Sequence, residues 1–340
     1  KIGLHSTHYV LDPNSNVPSI IPGAPANSGT LSRTLPIVSV DSGLIYERNA
    51  NWQGQNLIQT LEPRAYYLLV PHRDQGRIPL FDTAVADFNY AQIFSENSFV
   101  GGDRINDANQ LTLAVTSRLL YTSTGQEAVR ATVGQRYYFK DQQVTLDPTA
   151  TPRTYRSSDW LAALSGRLAQ SWTAESGLEY NGRESRAERV TVGVRYQPEL
   201  LKTLNMSYRY LRDQLNQIDV SSQWPVGRGW YGVGRLNYSL MDKRIVEGLG
   251  GFEYNRDCWI GRVVLQRFAV AAGSVIPGPL GSVPQVVAAG SSHNAIFLQL
   301  ELNGFSRIGS NPLEALKRNI PGYARINQAV PANRPFNFDD

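Results

Sequence analysis

The chain is poor in the residues on which redox and metal chemistry depend. Its 340 residues include one cysteine, Cys258, two methionines and four histidines, His5, His8, His72 and His293. His5 and His8 fall on opposite faces of one extended segment, so their spacing does not let them share a metal there, and no metal site is expected. No spacing singles out a Ser/His pair or a pair of carboxylates, so the chain is read as non-enzymatic, with no catalytic residue and no cofactor; a barrel hydrolase is the third-ranked reading. A basic block is also missing. The net charge of +4 is spread along the chain, which gives no reason to expect nucleic acid as a partner. No run of about 18 apolar residues exists, which excludes a spanning helix. A membrane barrel stays open, because its strands alternate and average out to ordinary hydropathy. The chain opens at Lys1 inside an extended segment, without methionine or signal peptide, and is expected to be a piece of a longer protein.

What is plentiful is alternation. Fourteen segments read with a period of two, near 1–11, 35–48, 56–70, 110–122, 126–140, 159–171, 174–182, 187–197, 203–212, 216–224, 229–240, 245–255, 258–270 and 293–304. In 110–122, Leu111, Leu113, Val115, Leu119 and Tyr121 share one face and Thr112, Thr116 and Arg118 the other. Arg130 and Arg136, then Arg195, then Arg209 take the polar faces of three further segments. These five arginines are candidate lumen-facing residues, either lining a polar path or pairing to hold a wall in shape. In 293–304, Ile296, Leu298, Leu300 and Leu302 oppose Phe297, Gln299, Glu301 and Asn303. Trp160, Trp172, Trp224, Trp230 and Trp259 sit near segment ends, as in the aromatic girdles of outer-membrane barrels. A soluble sandwich would spread its aromatics through the core instead. The fold expected is all-β, a transmembrane antiparallel β-barrel.

Loop lengths support that architecture. Counting connections from the first segment, the long ones at 12–34, 71–109, 141–158 and 271–292 are all odd, and the even ones are all short. Short periplasmic turns with long outer loops are the bacterial barrel arrangement. It places Cys258 and everything after Phe305 on the periplasmic side, so residues 1–305 are read as barrel and 306–340 as a periplasmic tail with a short helix in PLEALKRNI begun by Pro312. A second short helix is expected in DFNYAQIFSEN, within the loop at 71–109. Pro63, between Glu62 and Arg64, removes a ladder hydrogen bond and marks a weakened strand position. In an oxidising periplasm, Cys258 is read as half of a disulfide whose partner lies outside this chain.

Several strings resemble the LptD family, outer-membrane barrels that assemble lipopolysaccharide: SVDSGLIYERN (39–49), QTLEPRAYYLLVPHRDQ (59–75), PLFDT (79–83), ENSFVGGDRINDANQLTLAVTSR (96–118), FEYNRDCWIGRVV (252–264) and FLQLELNGFSRIGSNPLEALKRNIPGY (297–323). The resemblance implies the C-terminal part of a barrel of about 26 strands, in the outer membrane of a Gram-negative bacterium. It implies an LptE-like plug lipoprotein in the lumen, lipopolysaccharide as cargo, and a periplasmic transport bridge joined through an absent N-terminal domain. Lipopolysaccharide would leave through a lateral gate between the first and last strands, which makes 293–304 one lip of it. The family's motif has two adjacent cysteines where this chain has Asp257 and Cys258, so only Cys258 carries over. The alternative is a passive 14-stranded porin or fatty-acid channel, closed by pairing 1–11 with 293–304.

Overall fold

The computed structural model describes residues 1–12, 29–52, 54–86, 88–146, 150–256, 258–269, 275–276, 285–286, 292–302 and 306–326. Strands make up about two thirds of the described chain. In order these are β1 (Ile2–Leu11), β2 (Gly29–Gly43), β3 (Tyr46–Trp52), β4 (Gln55–Val70), β5 (Ala84–Val85), β6 (Phe99–Val100), β7 (Ala108–Tyr121), β8 (Glu127–Tyr138), β9 (Trp160–Ala169) and β10 (Trp172–Asn181). There follow β11 (Arg186–Glu199), β12 (Lys202–Leu211), β13 (Leu215–Gly227), β14 (Trp230–Ser239), β15 (Arg244–Arg256), β16 (Trp259–Ala269), β17 (Val275–Ile276), β18 (Gln285–Val286), β19 (Ser292–Leu302) and β20 (Ser306–Gly309). One α-helix, α1 (Leu313–Asn319), follows, and no helix among the described residues is long and apolar enough to cross a membrane. Sixteen strands belong to one antiparallel sheet; β5 with β6 and β17 with β18 form separate small ladders.

All fourteen expected segments are strands of the large sheet, and two further strands of that sheet were not expected, nor were the short β5, β6, β17 and β18. β20 is one of the two. The other comes from a correction: the segment at 35–48 is part of two strands, β2 and β3, interrupted at Leu44 and Ile45. The two keep one register along β4, with Gly43 opposite Arg64 and Tyr46 opposite Leu61. Pro63 explains the gap. The Leu44 N–H donates to the Pro63 carbonyl at 3.1 Å, but proline has no N–H with which to return the bond.

The faces are inverted relative to a soluble protein. On β19, Ile296 is 65% and Leu298 56% exposed, whereas Gln299 and Glu301 are 5% and 6% exposed. The same holds on β7, where Leu113 and Val115 are exposed and Thr112 and Thr116 buried. Strands of 10–16 residues with an apolar outer face and a polar inner one are the wall of a transmembrane β-barrel.

By contacts the chain divides into two units, Lys1–Leu164 with Leu178–Ala187, and Ser165–Gly177 with Glu188–Asp340. In the first, Leu35, Ile37, Tyr66, Leu68, Val70, Ile105 and Ala108 form a small buried cluster that joins β2 and β4 to the loop before β7. In the second, aromatics gather at the ends joined by short turns. Trp172 lies 4.6 Å from Tyr196, and Tyr196 lies 6.2 Å from Trp224. Trp230 lies 4.5 Å from Tyr254, which lies 5.4 Å from Trp259. This is the expected girdle, at one level of the wall.

Candidate functional site

The buried polar face carries chemistry in both units, and in each a segment outside the strands is folded onto it. In the first unit that segment is the loop 71–107. Arg33 on β2 reaches it, its Nη1 donating to Gln75 Oε1 at 2.6 Å and to the Asp103 carbonyl at 2.7 Å. Asp103 gathers donors in turn: the Tyr9 hydroxyl at 2.7 Å and the backbone N–H groups of Phe81 at 2.6 Å and Asp82 at 3.0 Å. Burial pushes its carboxyl pKa up, but those backbone donors and Tyr9 outweigh burial and hold it below the ordinary value. Of the two glycines before it, the first is required by shape. Gly101 has φ +80°, and a Cβ there would stand 2.6 Å from the Asp82 carbonyl oxygen.

Nearer the middle of the same face, the short helix expected in DFNYAQIFSEN is a single 3₁₀ turn, Gln92–Phe94. Arg136 Nη2 donates to the carbonyls of Gln92 at 2.9 Å and Ile93 at 2.7 Å, adding to the Ser95 N–H on Gln92 and the Thr112 hydroxyl on Ile93, so a strand arginine and a strand threonine fasten the turn to the wall. Arg64 stacks over the Phe94 ring at 4.0 Å while pairing with Asp41 at 2.6 Å.

In the second unit the folded-in segment is 313–326. Arg262 on β16 is fully buried, its Nε donating to Glu253 Oε1 at 2.9 Å and its Nη1 to Glu301 Oε2 at 2.7 Å and Gln299 Oε1 at 2.8 Å. Glu253 and Gln299 are the residues opposite Arg262 on its two neighbouring strands, β15 and β19. The returning segment completes this cluster. The Tyr323 hydroxyl donates to Glu253 Oε1 at 2.6 Å, and Arg325 Nη2 donates to Glu301 Oε1. Burial, then the Glu253 carboxylate, push the Tyr323 phenol above its ordinary pKa, so it stays protonated and donates. A second cluster lies alongside: Arg235 pairs with Asp219 at 2.7 Å and Glu247 at 2.9 Å, and bonds to Asn319 of α1. Beneath α1, Leu316 and Ile320 pack on Val233, Leu249 and Val264.

The five candidate arginines differ in their immediate surroundings. Arg118 pairs with Glu62 at 3.2 Å and with Glu127 at 3.7 Å, and Arg130 with Glu127 at 2.9 Å. Arg136 is the buried loop anchor, Arg195 donates to Asn205 at 3.0 Å, and Arg209 is exposed on β12. Glu62 and Arg64, neighbours of Pro63, take different partners, Arg118 and Asp41. Of the lip residues, Ile296, Leu298, Leu300 and Leu302 are exposed, Phe297 packs towards α1, and Gln299 and Glu301 join the Arg262 cluster. Asn303 and Asp257 lie outside the described residues, as does most of the long connection at 271–292. Cys258 is exposed in the turn between β15 and β16. The sequence reading passed over Arg33, Gln75, Asp103, Glu253, Arg262, Tyr323 and Arg325. For the Glu253–Arg262 pair a signal existed: the two oppose each other across a tight turn, both at polar-face parity.

Comparison with known proteins places these strings in context. The family model described as LptD, LPS transport system D, matches residues 1–230. The LPS-assembly protein LptD of Azoarcus sp. (strain BH72) is 46% identical, over 100% of this chain and 39% of its own length. The LPS-assembly proteins LptD of Aromatoleum aromaticum and Thiobacillus denitrificans are 47% and 44% identical, each over 97% of this chain and 38% and 42% of their own lengths. The chain thus spans about two fifths of the length of the curated relatives it matches.

Proposed function

The chain belongs to the LptD family, and from that membership we propose that it forms C-terminal strands of an outer-membrane barrel that assembles lipopolysaccharide at the cell surface. The observation that carries this reading is the match over residues 1–230, with relatives named for lipopolysaccharide assembly covering the whole chain. The inverted faces support it. A glycolipid with a sugar-phosphate end and acyl chains needs a polar route beside hydrocarbon, and this sheet separates the two across one strand thickness. Membership in an assembly family counts against the passive channel. In this role no bond is made or broken, and work comes from partners.

In the finer reading, β19 is one lip of a lateral exit. Its edge supports this: β20 covers only Gln299–Leu302, and among the described residues no strand pairs with that edge over 292–297. An uncovered edge is where a ladder opens or re-pairs. An LptE-like lipoprotein and the periplasmic transport bridge are the partners, and Cys258, exposed at the short-turn end, pairs with a cysteine outside this chain. The test is a photo-crosslinking residue at Ile296 or Phe297 of the full-length protein in cells. Lipopolysaccharide adducts are expected at these positions and not at Leu236, away from the edge. Adducts at neither, together with steady conductance by the purified protein without partners, would return the passive channel.

A further inference from the structure

We propose that residues 313–326 are a strap that locks β19 to the six strands before it in the sheet, with the Arg325–Glu301 pair as its clasp. The inference rests on the reading of β19 as a gate lip, and it says which joint of the wall holds and which parts. Leaving the sheet after β20, the chain turns back and crosses the polar face. Asn319 bonds to Arg235 on β14, and Leu316 and Ile320 pack on Val264 of β16. Tyr323 donates to Glu253 on β15 at 2.6 Å. Ala324 and Gln223 of β13 exchange two bonds, at 2.9 and 3.0 Å. The Pro321 carbonyl accepts from Asn205 of β12 at 2.9 Å, and the Gly322 carbonyl from Gln197 of β11 at 3.4 Å. Gly322 itself has φ +80°, and a Cβ there would come 3.2 Å from both Gln197 and Thr203, so the turn that lays the strap flat admits glycine best.

Arg325 then closes on Glu301 of β19, the strand from which the strap set out. Glu301 already faces Arg262 of β16 at 2.7 Å and Arg307 of β20 at 3.4 Å, so one buried carboxylate ties the last strand to its neighbour, to the edge strand and to the strap. Peeling β19 from β16 would strand buried charge on both sides, at a cost far above that of a plain ladder. The panel from β11 to β19 therefore moves as one piece. The line that parts is the uncovered edge of β19 over 292–297.

The experiment is hydrogen exchange with mass spectrometry on the full-length protein in detergent or outer-membrane vesicles, comparing parent, Arg325→Gln and Tyr323→Phe. Heat-modifiable migration on gels confirms that each variant is folded. Arg325→Gln is expected to speed exchange at the β16–β19 amides by about tenfold while β7 and β8 stay unchanged, and Arg325→Lys should fall between. Tyr323→Phe should speed exchange in 319–326. If folded Arg325→Gln exchanges like the parent across β19, the strap is overturned. The gate itself is tested separately, by the lipopolysaccharide adducts of the unsubstituted protein, so failure of either idea shows on its own.

Discussion

Asp103 shows how much one side chain in this wall can organise. Its two oxygens accept three hydrogen bonds, from the Tyr9 hydroxyl and two loop amides, and thereby fasten a long loop to β1. Asp103→Asn removes the charge that strengthens all three bonds and turns one acceptor into a donor facing donors. A loss of about 1–3 kcal/mol in loop docking is expected. The readout is faster proteolytic cleavage within 71–107 of a protein that still migrates as folded. The pH dependence follows with a definite sign. The folded-state pKa lies below the ordinary 3.8, so the stabilisation is complete above that value and is lost as pH falls through the depressed pKa. Cleavage of the loop should therefore stay constant from neutral pH down to about 4 and rise only below it. Loop cleavage that accelerates between pH 7 and 5 would assign the docking to another group.

At the scale of elements, Pro63 sets a local test. Pro63→Val supplies the missing N–H opposite Leu44, so β2 and β3 should join into one strand, with slower exchange at Leu44 to Tyr46 and a gain of about 0.5–1.5 kcal/mol. Unchanged exchange there would mean that something other than the proline interrupts the ladder. The break was half legible in advance: Pro63 was visibly a weak point, but which neighbouring strand would show it depends on the direction of its carbonyl, which the sequence does not state. Strands themselves were legible because a period of two declares both the element and its faces, as in Ile296 to Leu302. The Glu253–Arg262 pair was within reach, since a two-residue turn fixes which residues oppose each other. Arg325 on Glu301 was not: the two are 24 residues apart along a chain that reverses, and no periodicity encodes where a tail lands. The loop 71–107 was hidden for the same reason, although its Gly-Gly-Asp string marked where its backbone is tightest.

For the whole molecule the decisive property is which solvent meets the exposed face. In water, Leu265 on β16, 54% exposed, would tolerate lysine with a change within about 0.5 kcal/mol. In a bilayer the same substitution puts an ammonium near mid-strand against hydrocarbon, at a cost of about 2–4 kcal/mol. Gln266, the next residue along, points the other way and is bonded to Glu247 at 3.0 Å. Gln266→Leu loses one inner-face hydrogen bond, about 1 kcal/mol. A soluble protein with this fold would rank the two substitutions the opposite way, because its exposed positions are the forgiving ones. The comparison is therefore Leu265→Lys against Gln266→Leu in the full-length protein, measured by the urea midpoint of heat-modifiable migration in vesicles. Leu265→Lys is expected to be the more damaging of the two. A Leu265→Lys protein as stable as its parent would mean that this face does not meet lipid, and the reading of the sheet as membrane wall would fall with it.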